Sequence, residues 1–134
     1  MADSEVELVE RLFTAFGARD VDAMLGLLGP DFEYLAPDTA RLVGRTKPYR
    51  GLVGAREYLR DVSAVWGEMR VASLQYEAVK SGVLVQGRIV TQDKRGGLAD
   101  APAAWLVEVR DSSIVRVTVF RDPKQAVRAA AGEA

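Results

Sequence analysis

Gly82-Val83-Leu84-Val85-Gln86-Gly87-Arg88-Ile89-Val90-Thr91-Gln92 opens the stretch that decides the fold, and Trp105-Leu106-Val107-Glu108-Val109 and Ile114-Val115-Arg116-Val117-Thr118-Val119-Phe120 complete it. These runs are rich in β-branched residues. Asp93-Lys94-Arg95-Gly96-Gly97 and Asp111-Ser112-Ser113 provide turn chemistry near their ends, so the spacing predicts three strands of an antiparallel meander. A sheet of this size has one face to bury, and the helical segments upstream are there to cover it.

Working back toward the N-terminus, Met69–Val79 reads as a further strand turned into the meander by Lys80-Ser81-Gly82. Before it, Gly51 leads a helix with Leu52, Ala55, Tyr58, Leu59, Val62 and Trp66 on one face, stopped by Gly67. Ser4-Glu5-Val6-Glu7 reads as a capping box opening a first helix whose apolar stripe is Val6, Val9, Leu12, Phe13 and Phe16. Asp20 caps a second helix closed by Gly29 and Pro30, and Phe32-Glu33-Tyr34-Leu35-Ala36 follows as a short edge or corner strand ending at Pro37. The chain of 134 residues is read as one domain, 1–134, with 49% hydrophobic residues to build its core.

Composition prunes the chemistry. Eighteen basic against nineteen acidic side chains leave a net charge of -1, which gives no field for nucleic acid or an anionic membrane. No apolar run approaches the ~18 residues of a membrane span, and the acidic Met1-Ala2-Asp3-Ser4-Glu5 does not read as a secretory signal, so a cytoplasmic protein is expected. With neither Cys nor His, thiolate chemistry and the commonest general base are excluded and no metal site is expected. Catalysis would rest on Asp, Glu, Lys, Tyr or Arg.

Arg19-Asp20-Val21-Asp22-Ala23-Met24, Pro30-Asp31-Phe32, Tyr49-Arg50-Gly51 with Gly54, and Ile114-Val115-Arg116-Val117 leading to Asp122 occur in an order that resembles the NTF2-like superfamily, in particular its SnoaL-like and ketosteroid isomerase-like members. The resemblance spans nearly the whole chain. It implies an α+β cone of the NTF2-like (cystatin-like) kind, a curved antiparallel sheet wrapped around three N-terminal helices with a short C-terminal helix. It also implies a cavity open at one end and a homodimer packed through the sheet, and no cofactor. In ketosteroid isomerases the general base is an Asp late in the first strand, a position matched here by Ala36. Their two oxyanion donors fall near Leu12 and Trp105. The Asp-Arg-Asp set of limonene-epoxide hydrolases falls on Val90, Arg88 and Val119, where only the arginine is retained.

Alternation assigns facing independently. In the last strand Val115, Val117 and Val119 form an apolar row expected to face the cavity, and Trp105, Val107 and Val109 form its partner. In Val83–Gln92 both rows are partly apolar. The resemblance places Leu84, Gln86, Arg88, Val90 and Gln92 inside, leaving Val83, Val85 and Ile89 on an outer face whose apolarity argues for the homodimer. An inward Arg88 needs a partner, either an anionic ligand group or a protein carboxylate; in the opposite register it lies on the outer face. The expected ligand-binding set is Tyr34, Tyr49, Tyr58, Trp66, Gln86, Arg88, Trp105, Val117 and Val119, with the aromatic rings equally readable as core. Tyr34, Asp38 and Arg88 are the candidate catalytic groups. The loop Asp38–Gly51 is either an electrostatic lip of Arg41, Arg45, Lys47 and Arg50 or an ordinary solvated loop.

Three functions follow as alternatives. The first is a binding domain for a small hydrophobic or weakly anionic ligand, held in an apolar, aromatic and Arg-lined pocket. The second is a cofactor-independent isomerase, cyclase or hydrolase with a non-standard catalytic set. The third is a dimeric interaction domain whose cavity is filled by side chains.

Overall fold

The computed structural model describes residues 2–36, 41, 43–66 and 68–132. The elements run α1 (Ala2–Ala18), α2 (Val21–Leu25), β1 (Leu28–Leu35), β2 (Tyr49–Arg50), α3 (Gly51–Val65), β3 (Glu68–Val79), β4 (Gly82–Gln92), β5 (Leu98–Arg110), β6 (Ser113–Phe120) and α4 (Pro123–Ala130). Six strands form one curved, open sheet in the order β2-β1-β6-β5-β4-β3, giving the expected α+β architecture. All pairings are antiparallel except β1 with β6, which is parallel.

Several boundaries differ from the sequence reading. The first helix begins two residues before Ser4, at Ala2, so Ser4 lies in its first turn rather than at its cap. Asp20 caps α2 by accepting from the Ala23 amide at 3.1 Å, yet the helix stops at Leu25, with Gly26 rather than Gly29 at its end. The chain then enters β1 four residues earlier than expected. Leu28 pairs with Ile114, and the register shifts before Glu33, so the missing N–H of Pro30 falls in an irregular segment where it breaks no regular ladder. β1 is also flanked on both sides, by β2 and β6, rather than being an edge. In α3 the buried residues are Gly54, Ala55, Tyr58 and Val62, while Leu52 is 41% exposed. Pro37, Asp38 and Gly67 lie outside the described residues.

The main core joins α1, through Val9, Leu12, Phe13 and Phe16, to the inner face of the sheet, where Val83, Val85, Trp105, Val107, Ile114 and Val117 are buried. A second cluster lies on the opposite face, where Leu84, Ala104 and Leu106 are covered by Ala126 and Ala130 of α4. That helix opens as its sequence dictates, with Asp122 accepting from the Lys124 amide and Pro123 at the first position. Covering by helices on both faces explains why Val83-Leu84-Val85 is apolar without interruption.

This overturns the expected facing of β4. Val83 and Val85 are fully buried in the main core and Ile89 packs against it, so the row taken as outer is the inner one. The apolar surface that argued for a sheet-mediated homodimer is therefore inside the molecule. Gln86, Arg88, Val90 and Gln92 belong to the outer row, because the alternative would have exposed three apolar residues in order to bury a guanidinium. β6 carries a related surprise. The register with β5 shifts between Glu108 and Val109, so Ile114 and Val117 turn inward and Val115 drops out of the row.

The outer face also carries a ladder of charge. Glu33 of β1 pairs with Arg50 of β2 at 3.1 Å and with Arg116 of β6 at 2.9 Å, and Arg116 reaches Glu108 of β5 at 3.5 Å. Each pair sits in register, so the row ties four adjacent strands. The hydrogen bond from Arg116, aided by the charges of Arg50 and Arg116 against a desolvation cost, holds the Glu33 carboxyl below the usual glutamate range. A carboxyl whose pKa is lower in the folded than in the unfolded chain adds stability above the unfolded value, and loses it as pH falls through the folded one. Wild type should therefore exceed Glu33→Gln by roughly 1 kcal/mol at neutral pH, and the gap should close below about pH 4. Thermal melts of the two proteins across pH check this; a gap that widens in acid contradicts it.

Candidate functional site

Between α1, α3 and the inner face of the sheet lies a cavity of about 560 Å³. Its wall is built from Leu12, Phe13 and Phe16 of α1, Phe32 and Tyr34 of β1, Ala55 and Tyr58 of α3, Trp66 at the end of α3, Met69 and Val71 of β3, Ile89 and Thr91 of β4, Trp105 of β5, and Val117 and Val119 of β6. Every strand row that reaches it is the apolar one, so the lining is a continuation of the main core left open at one end.

Polar groups on this wall are few and ordered. The Tyr34 hydroxyl donates to the Tyr58 hydroxyl at 3.3 Å, with the two rings edge to face at 4.3 Å. Burial, reinforced by Tyr58, raises the Tyr34 pKa well above that of a free tyrosine, while the Trp105 indole N–H acts in the opposite direction. The hydroxyl therefore stays protonated at any physiological pH, acting as a hydrogen-bond donor, here to Tyr58, rather than as a base. Among the described residues the carboxylate lining the cavity is Asp122, whose oxygen is engaged at the start of α4. Among them, too, no three carboxylates converge as a metal site requires.

The expected site residues divide sharply. Tyr34, Tyr58, Trp66, Trp105, Val117 and Val119 all line the cavity. Tyr49 does not: its ring is fully buried behind Tyr58, at 5.3 Å between centroids, and its hydroxyl donates to Asp61 Oδ2 at 2.8 Å. It belongs to the two-residue strand β2, whose pairing with Tyr34 draws the ring under the sheet edge. Gln86 and Arg88 lie on the outer row, away from the cavity. Arg88 Nε donates to Asp100 Oδ1 at 2.6 Å on the neighbouring strand, with the two side chains 43% and 57% exposed.

A solvated pair of this kind contributes little. Arg88→Met should shift stability by no more than about 0.5 kcal/mol. It should also leave any response of the cavity to ligands unchanged, as parallel thermal melts with and without ligand would show. Asp38 lies outside the described residues. Of the basic loop, Arg45 pairs with Glu57 and lies over the Tyr49 ring, and Arg50 pairs with Glu33, leaving Arg41 as the member that lines the cavity.

Thr91, Arg121 and Asp122 on the wall escaped the sequence reading. Thr91 shares a row with Ile89, which the family resemblance turns outward and the observed packing turns inward. The positions matched to the ketosteroid isomerase groups, Leu12, Ala36 and Trp105, all fall on the wall, without an acid among them. Of the epoxide hydrolase set, Val119 lines the cavity whereas Val90 and Arg88 lie on the outer row.

An α+β cone whose helices and inner sheet face enclose an apolar cavity defines a structural class. Within it, the profile of the SnoaL-like domain matches residues 9–117, and the chain belongs to that family. No curated protein sequence matches the chain. Among solved structures, an NTF2-like protein of unknown function from Burkholderia pseudomallei K96243 is 20% identical, with a TM-score of 0.80 over 95% of this chain and 97% of its own. TerC, co-crystallised with polyporic acid, is 24% identical with a TM-score of 0.80 over 97% and 99%. A putative polyketide cyclase from Xanthomonas campestris pv. campestris is 18% identical with a TM-score of 0.77 over 92% and 94%. At these identities the likeness is one of fold.

Proposed function

We propose that this chain is a small-molecule-binding SnoaL-like domain whose cavity takes a flat, largely apolar ligand. The observation that carries the reading is the cavity itself. It offers about 560 Å³ bounded by aromatic and aliphatic side chains, with a few fixed polar groups to set orientation. Phe13, Trp105, Tyr34, Tyr58 and Phe16 present rings to a slab-like ligand, and stacking rewards such a shape. The co-crystallisation of the similarly folded TerC with polyporic acid supports the same class of occupant.

Both tryptophans of the chain, Trp66 and Trp105, line the cavity, so intrinsic emission reports its occupancy directly. Titration with polyporic acid and with other flat polycyclic compounds should change that emission saturably. At one hundred times the dissociation constant it should stabilise the fold by about 2.7 kcal/mol. Unchanged emission and melting temperature across such a panel, up to the solubility limits, would refute the reading.

A second reading, a cofactor-independent isomerase or cyclase, draws support from the neutral Tyr34 and Tyr58 hydroxyls on the cavity wall, groups of the kind that polarise a carbonyl. The fold neighbours described as putative polyketide cyclases support it to the same degree. Turnover of a bound ketone, seen as exchange of its α-hydrogens for deuterium faster than in buffer alone, would establish it over simple binding.

A further inference from the structure

The cavity wall changes character along its length. At its inner end Leu12, Phe13, Phe16, Phe32, Trp105 and Val117 are buried and apolar. At the other end Arg41, Ala99, Ala101, Pro102, Arg121 and Asp122 line the same cavity and are exposed, which makes them its mouth. Among the described residues, the two arginines and the aspartate are the charged side chains of the whole wall.

Topology brings the arginines to this end. β1 runs parallel to β6, with Leu35 in register with Thr118, so both strands leave the sheet at the same end. Arg41 follows β1, and Arg121 follows β6. The sheet is also notched there, since β6 pairs with β5 no further than Phe120 with Ala104, while β5 continues along β4 out to Leu98. The mouth opens where β6 no longer flanks β5.

Two guanidinium groups thus stand at the mouth against one carboxylate, and Asp122 Oδ1 already accepts from the Lys124 amide at 2.9 Å. Arg41 and Arg121 hold interactions of their own. A guanidinium nonetheless carries five N–H donors and keeps its charge whatever it holds, so one contact does not exhaust it. An anionic group deep in the cavity would face neutral tyrosines and apolar side chains, losing hydration without meeting a counter-charge. At the mouth it keeps part of its water and meets positive charge.

Resting on the binding function proposed above, we propose that the ligand is an amphipathic acid, its flat apolar body inside the cavity and its carboxylate at the mouth beside Arg41 and Arg121. Anthracene-2-carboxylate and anthracene-2-carboxamide test this as a pair, nearly equal in size and shape and different by one charge. Both are excited beyond the tryptophan absorption band, so the anisotropy of their own emission gives the dissociation constants. At low ionic strength the wild type should bind the carboxylate roughly tenfold more tightly than the amide. Arg41→Gln and Arg121→Gln should each lower that preference about threefold, and the double variant should abolish it.

Arg50→Gln removes the same charge at a position off the cavity wall, and it should leave the preference unchanged. In the wild type, salt at about 1 M should erode the preference by weakening the carboxylate alone, a measurement that needs no variant to fold. Equal affinity of the wild type for the two probes, or a preference that Arg50→Gln lowers as far as the double variant does, overturns the inference while leaving the binding function standing. Failure of both probes to gain anisotropy at their solubility limits overturns both.

Discussion

Gly82→Ala should unfold or severely destabilise this protein, by on the order of 3–5 kcal/mol, a loss measurable by urea denaturation. Gly82 closes the β3–β4 turn and opens β4, paired on one side with Val79 and on the other with Glu108. A methyl group there would lie 2.0 Å from the carbonyl oxygen of Val107, 3.0 Å from its carbonyl carbon and 3.1 Å from the Glu108 Cα. All three are backbone atoms of the adjoining strand, so no side chain can swing aside. Either β4 and β5 separate at their most buried point, beside Val83 and Val107, or Gly82 abandons the conformation that starts the strand.

Gly17→Ala is the matched control. It sits in the last turn of α1 with nothing within 4 Å of the added carbon, so it should stabilise by about 0.5–1 kcal/mol through helix propensity. A Gly82→Ala protein with wild-type stability would mean that the β4–β5 approach is looser than described.

The same strand shows what the sequence does and does not disclose. Strand order in the meander was legible because β-branched runs separated by Gly, Asp and Ser turns admit few other arrangements. Facing was legible in β5, where Glu108 alternates with Trp105, Val107 and Val109, and it was illegible in β4, where Leu84 is apolar for a different reason from Val83 and Val85. Leu84 serves the contact with α4, the valines serve the main core, and period alone cannot separate the two.

The partner of Arg88 was hidden by a propensity that tertiary structure overrides. Leu98-Ala99-Asp100-Ala101-Pro102 has no strand pattern, yet it extends β5 along β4 from the start. The regular pairing with β6 reaches only Ala104, so along this segment a proline need not break a second ladder. Asp100 thus arrives beside Arg88 from a segment that reads as loop. The cavity wall was more visible than its polar fittings. Aromatic residues at strand and helix period mark a wall, whereas the Tyr34–Tyr58 bond and the burial of Tyr49 depend on how a two-residue strand meets β1.

Trp105→Ala should cost about 3–5 kcal/mol. That corresponds to a fall in melting temperature of roughly 10 °C or more for a chain of this size. The ring is only 3% exposed, packs edge to face on Phe13 at 5.2 Å, and stands between Val85 of β4 and Val119 of β6 in register. Removing it deletes the contact between α1 and the centre of the sheet, and the space left behind joins a cavity that already exists, so neighbouring side chains have little to collapse onto.

Trp105→Phe divides the effect. It retains an aromatic ring toward Phe13 while removing the indole N–H that faces the Tyr34 hydroxyl, and it should recover most of the lost stability. Comparing the two variants by thermal melts separates packing from polarity. A loss below about 1 kcal/mol for Trp105→Ala would show that the ring is not the structural wall between helix and sheet. A Trp105→Phe protein as unstable as Trp105→Ala would place the energy in the indole N–H and its tyrosine neighbour instead.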